Sequence, residues 1–146
     1  MFSGSAPAKI DEKGRLKVPS TYLTTLVSTH GRDVFVTSLT GESALIYPMP
    51  VWTDLLAKMA QVPSSNPSRR RFHERTNFFG AATELDAQGR LVVPYRLRDI
   101  AQLIGDVDVI GQPDFLDVWN HDRMMAKLNR EPWSDADWAE LARFGV

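Results

Sequence analysis

Apolar and polar positions along the chain trace one succession of elements and then trace it again. An extended stretch, Ala8-Lys9-Ile10, lies before residue 11, and another, Ala82-Thr83-Glu84-Leu85, before residue 86. Each runs into a segment with turn chemistry, where Asp bonds its own downstream amides and Gly accepts a positive φ. Leu16-Lys17-Val18 and Leu91-Val92-Val93 then read as short return strands. A proline follows each, placed to be the first residue of a helix. Leu23, Leu26 and Val27 recur at helical spacing ahead of Gly31, as do Leu97, Ile100, Ala101 and Ile104 ahead of Gly105. Two more strands follow in each half: Val34–Thr37 with Ala44–Tyr47, and Val107–Ile110 with Phe115–Trp119. Each half therefore reads strand–turn–strand–helix–strand–strand.

A further helix closes each half. In the first, Trp52, Leu55, Leu56 and Met59 form an apolar stripe that stops before Pro63; in the second, Asn120 is the expected N-cap, with Met124, Met125 and Leu128 behind it. Between them, Pro63-Ser64-Ser65-Asn66-Pro67-Ser68 is a linker by composition. A last short helix is signalled by Ser134 with Asp137 three residues on, then Trp138, Leu141 and Ala142 before Gly145. The expected organisation is a unit over 1–62, a linker and basic segment over 63–75, a second unit over 76–130 and a helical tail over 131–146. A unit of about 60 residues is marginal alone, so the halves are expected to pack on each other, and exposed edges favour further association.

The repeat is explicit in the residues. Residues 11–19 read D-E-K-G-R-L-K-V-P and residues 86–94 read D-A-Q-G-R-L-V-V-P, with six of nine positions identical at an offset of 75.

Composition changes this picture in two respects. Cysteine is absent, which excludes disulfides, thiolate metal sites and cysteine nucleophiles. The net charge of −1 conceals an asymmetry: residues 1–98 carry 13 Lys/Arg against 8 Asp/Glu, and residues 99–146 carry 4 against 10. A polyanion-binding surface on the first part and an acidic surface on the second are both permitted. No apolar run approaches bilayer length, and the opening Met1-Phe2-Ser3-Gly4 lacks the order of a secretory signal, so a cytoplasmic protein without membrane partners is expected.

Catalytic chemistry finds little support. His30, His73 and His121 fall in separate segments with no metal-ligand spacing, and solvated or capping roles suit each. There is no G-x-S-x-G, P-loop or G-x-G-x-x-G. Asp11 and Asp86 each precede an arginine by four residues, and a nearby cation lowers a carboxylate pKa, the wrong direction for a general acid. No catalytic residue, metal or cofactor is expected.

Nucleic-acid binding fits better. Lys13, Arg15 and Lys17 crowd the first turn; Arg69, Arg70, Arg71 and Arg75 surround Phe72; Arg90, Arg96 and Arg98 lie in and after the second turn. The planar guanidinium fork suits phosphates and guanine edges. Arg15 and Arg90 have a second reading as ion pairs that close their own turns, and both roles are compatible. Arg69, Arg70 and Arg71 read equally as a solvated stretch beside a linker. The candidate DNA-binding set is Lys13, Arg15, Arg90, Arg69, Arg70 and Arg71, with Asp11 and Asp86 as the acceptors that aim the turn arginines.

Met1-Phe2-x-Gly4, the two D-x-x-G-R-h-x-h-P copies (h apolar), Ile46-Tyr47-Pro48, the Arg71…Phe78-Phe79-Gly80-Ala81 run and Ser134-x-x-Asp137…Leu141…Gly145 together resemble the MraZ family of bacterial transcriptional regulators, within the AbrB/SpoVT-like swapped-hairpin superfamily. The resemblance spans the chain in order. It implies an α+β, mainly β, fold: two tandem pseudo-symmetric units packed as a double-split β-barrel with peripheral helices, and chains assembling into ring-like homo-oligomers. It implies sequence-specific binding of double-stranded DNA at repeated short boxes upstream of the protein's own gene, in a division and cell-wall gene cluster, with nucleoid association. Carried over, the DNA-contacting motifs fall on Asp11–Arg15 and Asp86–Arg90. Two departures stand out: Gln88 occupies the place of Lys13, and Leu23 the place of Arg98. A competing reading is an antitoxin-like protein-interaction module whose acidic C-terminal part binds another protein without specific DNA readout.

Overall fold

Pairing between the two halves dominates the architecture. The computed structural model describes residues 1–146. Its strands are β1 (Ser5–Ile10), β2 (Arg15–Lys17), β3 (Asp33–Thr37), β4 (Ala44–Pro48), β5 (Ala81–Glu84), β6 (Arg90–Val92), β7 (Gly105–Gln112) and β8 (Phe115–Asn120). Its helices are α1 (Ser20–Thr25), α2 (Met49–Met59), α3 (Pro67–Phe79), α4 (Tyr95–Ala101), α5 (His121–Arg130) and α6 (Asp135–Ala142). All eight strands join one antiparallel sheet in the order β5-β3-β4-β8-β7-β1-β2-β6, and its two end strands approach each other to leave a nearly closed barrel. The expected α+β, mainly β, barrel with peripheral helices is the fold observed.

The repeat units do not sit side by side; they interleave. β1 pairs with β7 from Ser5↔Ile110 to Ile10↔Gly105, and its repeat counterpart β5 pairs with β3 from Asp33↔Glu84 to Val36↔Ala81. β2 pairs with its own counterpart β6 through Leu16↔Leu91, and β4 with β8 through Ala44↔Val118. A pseudo-two-fold axis thus passes through both seams. Because successive side chains point to opposite faces of a strand, Leu16, Leu91, Val34, Val36, Val107 and Val109 all enter one buried core. One core made equally by both halves solves the size problem that each unit faces alone.

Helices seal the outer faces. Trp52 of α2 stacks on Phe35 at 4.6 Å, and Phe72 of α3 lies 5.9 Å from Trp52. The helix α3 departs from the linker and basic segment expected over 63–75. Asn66 accepts hydrogen bonds from the Ser68 and Arg69 amides (2.8 and 3.2 Å), and Pro67 opens the helix. The Thr37 hydroxyl then anchors it by donating to the Thr76 carbonyl at 2.6 Å.

Smaller differences have equally local causes. Pro19 and Pro94 are N-caps with extended ψ rather than first helical residues. Helix α1 continues through a wide turn, Leu26–His30, that Gly31 ends at φ 89°. Helix α4 stops at Ala101 because Gln102 turns left-handed (φ 53°) and directs Leu103 into the core. Of the positions read at helical spacing, Leu97 and Ala101 are buried, while Ile100 on the outer side of α4 and Ile104 beyond its end are exposed.

Candidate nucleic-acid interface

The two Asp-x-x-Gly-Arg segments fold identically for local reasons. Asp11 Oδ1 accepts from the Lys13 and Arg15 amides at 2.9 Å each, and Asp11 Oδ2 accepts from Arg15 Nε at 2.8 Å. Asp86 repeats the arrangement with the Gln88 and Arg90 amides and Arg90 Nε, all at 2.9 Å. Gly14 (φ 81°) and Gly89 (φ 75°) supply the left-handed residue that each turn needs. Both readings of the arginines are therefore realised at once. Nε closes the turn, while the Nη groups of Arg15 make no hydrogen bond within the chain and Arg90 spends only Nη2, on Gln88 Oε1 at 3.4 Å.

The turns stand at opposite ends of the β2/β6 ribbon and hold each other. The Val18 amide donates to Gly89 O at 3.0 Å, and the Val93 amide to Gly14 O at 2.9 Å. Leu16 and Leu91 point into the core, so strand alternation puts Arg15, Lys17, Arg90 and Val92 on the outward face. Arg15 lies opposite Val92 and Arg90 opposite Lys17, a diagonal that sets their backbone positions about 7–8 Å apart. The Lys17 ammonium donates to the Gln88 carbonyl, and Arg32 Nη1 to the Asp86 carbonyl at 3.0 Å. The result is a compact cationic ribbon with outward guanidinium forks, suited to bidentate recognition of an anionic or guanine-like edge.

Each glycine is also a point of contact between the halves. A Cβ on Gly14 would lie 2.4 Å from Arg98 Nε, and one on Gly89 would lie 2.5 Å from Leu23 Cδ2. Arg98 and Leu23, which differ chemically, thus do the same job by covering the other half's turn. Alanine at either glycine meets a left-handed backbone, worth about 1–3 kcal/mol. Arg98 can yield at the cost of its Nε hydrogen bond to the Val93 carbonyl (3.2 Å), whereas Leu23 is packed against the core. Gly89→Ala is therefore expected to lower the melting temperature more than Gly14→Ala; equal melts would refute the packing role of Leu23.

The turn carboxylates are held in their charged form. The Arg15 amide, then its guanidinium and the Lys13 amide, lower the Asp11 pKa below the ordinary aspartate value, and the Arg90 and Gln88 groups do so for Asp86. A depressed folded-state pKa contributes stability that is present above the unfolded-state value and lost as pH falls through the folded one. This contribution should accordingly begin to fall near the ordinary aspartate value and be exhausted only below it, and Asp11→Asn/Asp86→Asn should remove that part of the acid transition. A pH series followed by circular dichroism checks this.

Of the residues singled out from sequence, Asp11, Lys13, Arg15, Asp86 and Arg90 come together at this ribbon. Arg69, Arg70 and Arg71 lie on α3 and make no hydrogen bond or ion pair with it. The Arg69 guanidinium donates to the Val62 carbonyl, so it holds the connection between α2 and α3. Arg32 is the residue that motif spacing does not reveal: it lies outside both motif copies and reaches Asp86 only because β3 pairs with β5.

Fold and site define a class: single-chain, two-repeat barrels of interleaved strands that present paired Asp–Arg turns on one exposed ribbon. The family model described as "MraZ protein, putative antitoxin-like" matches residues 1–75 and 78–144. The "Transcriptional regulator MraZ" of Acidobacterium capsulatum is 40% identical over 146 residues, the whole of both chains. That of Koribacter versatilis is 36% identical over 147 residues, again the whole of both. That of Herpetosiphon aurantiacus is 36% identical over 134 residues, covering 88% of this chain and 87% of its own. The chain belongs to the MraZ family of transcriptional regulators. These relatives are named as regulators and not as enzymes.

Proposed function

We propose that the protein binds double-stranded DNA sequence-specifically through the β2/β6 ribbon and its two turns, with Arg15 and Arg90 on base edges, Lys13 and Lys17 on phosphates, and Asp11 and Asp86 aiming the arginines. The observation that carries this reading is that the fold brings two sequence-distant Asp–Arg turns onto one outward surface with guanidinium nitrogens unspent. A two-stranded ribbon fits the major groove, and both arginines sit on one three-residue strand pair, within one groove rather than at two sites a helical turn apart. One chain then reads one short box. Following the family resemblance, the boxes repeat upstream of the protein's own gene in a division and cell-wall cluster, and a ring-like homo-oligomer engages several at once, in the cytoplasm and at the nucleoid. Arg70 and Arg71 add phosphate contacts only if DNA extends along α3.

The test is binding to the DNA upstream of its own gene against a scrambled duplex over a salt series. Affinity for the authentic duplex should exceed that for the control and fall with salt, with log K losing about 0.9 per log unit of salt for each phosphate neutralised. Lys13→Ala should flatten that slope by about one such increment. A flat salt response, or equal affinity for both duplexes, would overturn the reading. An antitoxin-like role would instead show as one stoichiometric protein partner captured without DNA.

A further inference from the structure

Two surfaces remain outside the barrel's own packing. The first is the tail. Residues 132–146 make hydrogen bonds only within the segment, where Asp137 Oδ2 accepts from the Ser134 amide at 2.9 Å and Arg143 pairs with Glu140 at 2.9 Å. No residue of α6 is buried, and Trp138 is 55% exposed and Phe144 73% exposed. The same segment, 131–146, carries Glu131, Asp135, Asp137 and Glu140 against Arg143 alone. It is an aromatic, acidic helix whose aromatic packing, Trp138 edge-on to Trp133 at 5.2 Å, stays within the same segment.

The second surface is its complement in both respects. Phe78 at the end of α3 is 52% exposed, with the Arg96 guanidinium 4.2 Å above its ring. Arg75 donates to the Leu39 carbonyl at 3.1 Å, which brings Leu39 alongside, and a Cβ on Gly41 would touch both Phe79 and Ile100. A shallow groove is lined by Arg71, Glu74, Arg75, Phe78 and Phe79, and Leu39 and Ile100 are exposed near it. The groove itself carries Arg71 and Arg75 against one acid, Glu74, with Arg96 over Phe78 beside it.

We infer that the acidic, aromatic tail of one copy docks on this basic, apolar α3/α4 patch of a second copy. Charge complementarity selects the occupant, and large exposed apolar patches are sites of association. The contact joins different surfaces, so it is heterologous, and a heterologous contact propagates into a closed ring or a filament. The inference rests on the oligomer proposed above and names the surfaces that build it. It also assigns Arg71 and Arg75 to assembly rather than to DNA.

The experiment is light scattering on the full chain with charge reversal on either side. Arg71→Glu/Arg75→Glu and Asp135→Arg/Glu140→Arg should each fall from the parent mass to that of one chain. All four substitutions in one chain should restore the parent mass, which a folding defect would not do. Trp138→Asp, on a helix detached from the core, should also lose assembly while melting like the parent. If the parent is oligomeric and every variant keeps its mass, the docking is wrong and the oligomer stands; a tail that covers its own patch or binds another protein gives this result. A monomeric parent overturns both.

Discussion

Arg15→Ala/Arg90→Ala is expected to abolish specific DNA binding while leaving a folded barrel. A bidentate guanidinium contact to a base is worth about 1–3 kcal/mol, so each single variant should lose roughly five- to 150-fold in specific affinity. The two sites lie close enough to couple, and their losses need not add. The fold should survive because each aspartate keeps its two amide donors, at 2.9 Å, when the guanidinium is removed. The ion pairs themselves are about one-third exposed and worth little to stability. Thermal melts together with titration of specific and scrambled duplexes decide the matter. Variants that melt like the parent and bind unchanged would remove the site assignment.

Displacing neighbouring boxes by half a helical turn should weaken binding as much as deleting one of them. Each chain offers few base contacts, so a single box supplies modest affinity. Once one subunit is seated, a second on the same side of the duplex binds intramolecularly, and avidity can rise by about 10²–10⁴ with no new kind of contact. Half a turn puts the next box on the far side, and a duplex that short is too stiff to bring it round. Several correctly spaced boxes should bind most tightly, with one box and mis-spaced boxes alike. Equal affinity for all three would remove the need for an assembly.

The features legible in the chain were those set by neighbours in sequence. Asp11, Gly14 and Arg15 need only one another to close a turn, and Asn120 needs only the Arg123 amide to begin a helix. What pairs with β1 is a different matter. Nothing in Ala8-Lys9-Ile10 distinguishes a partner in its own half from β7, and the choice falls to a core that neither half fills alone. Helix α3 was obscured by composition: its inward positions Phe72, Thr76 and Phe79 are few, and its surface is arginine-rich, yet Asn66-Pro67 carried the cap and first-residue signature. Leu23 in place of Arg98 reads as a missing cation in sequence and proves to be steric equivalence in space.

The crossing of strands between halves also governs how the protein is made. Ser5 emerges early from the ribosome but has no partner until Ile110 follows it, and Lys17 waits for Arg90. Non-local antiparallel pairing is slow to form and leaves apolar strands open to wrong partners meanwhile. A nascent chain of the first unit alone can form only the β1/β2 and β3/β4 hairpins. The barrel must therefore close in a late, concerted step, and a message truncated after the first repeat would yield a sticky fragment rather than half a regulator.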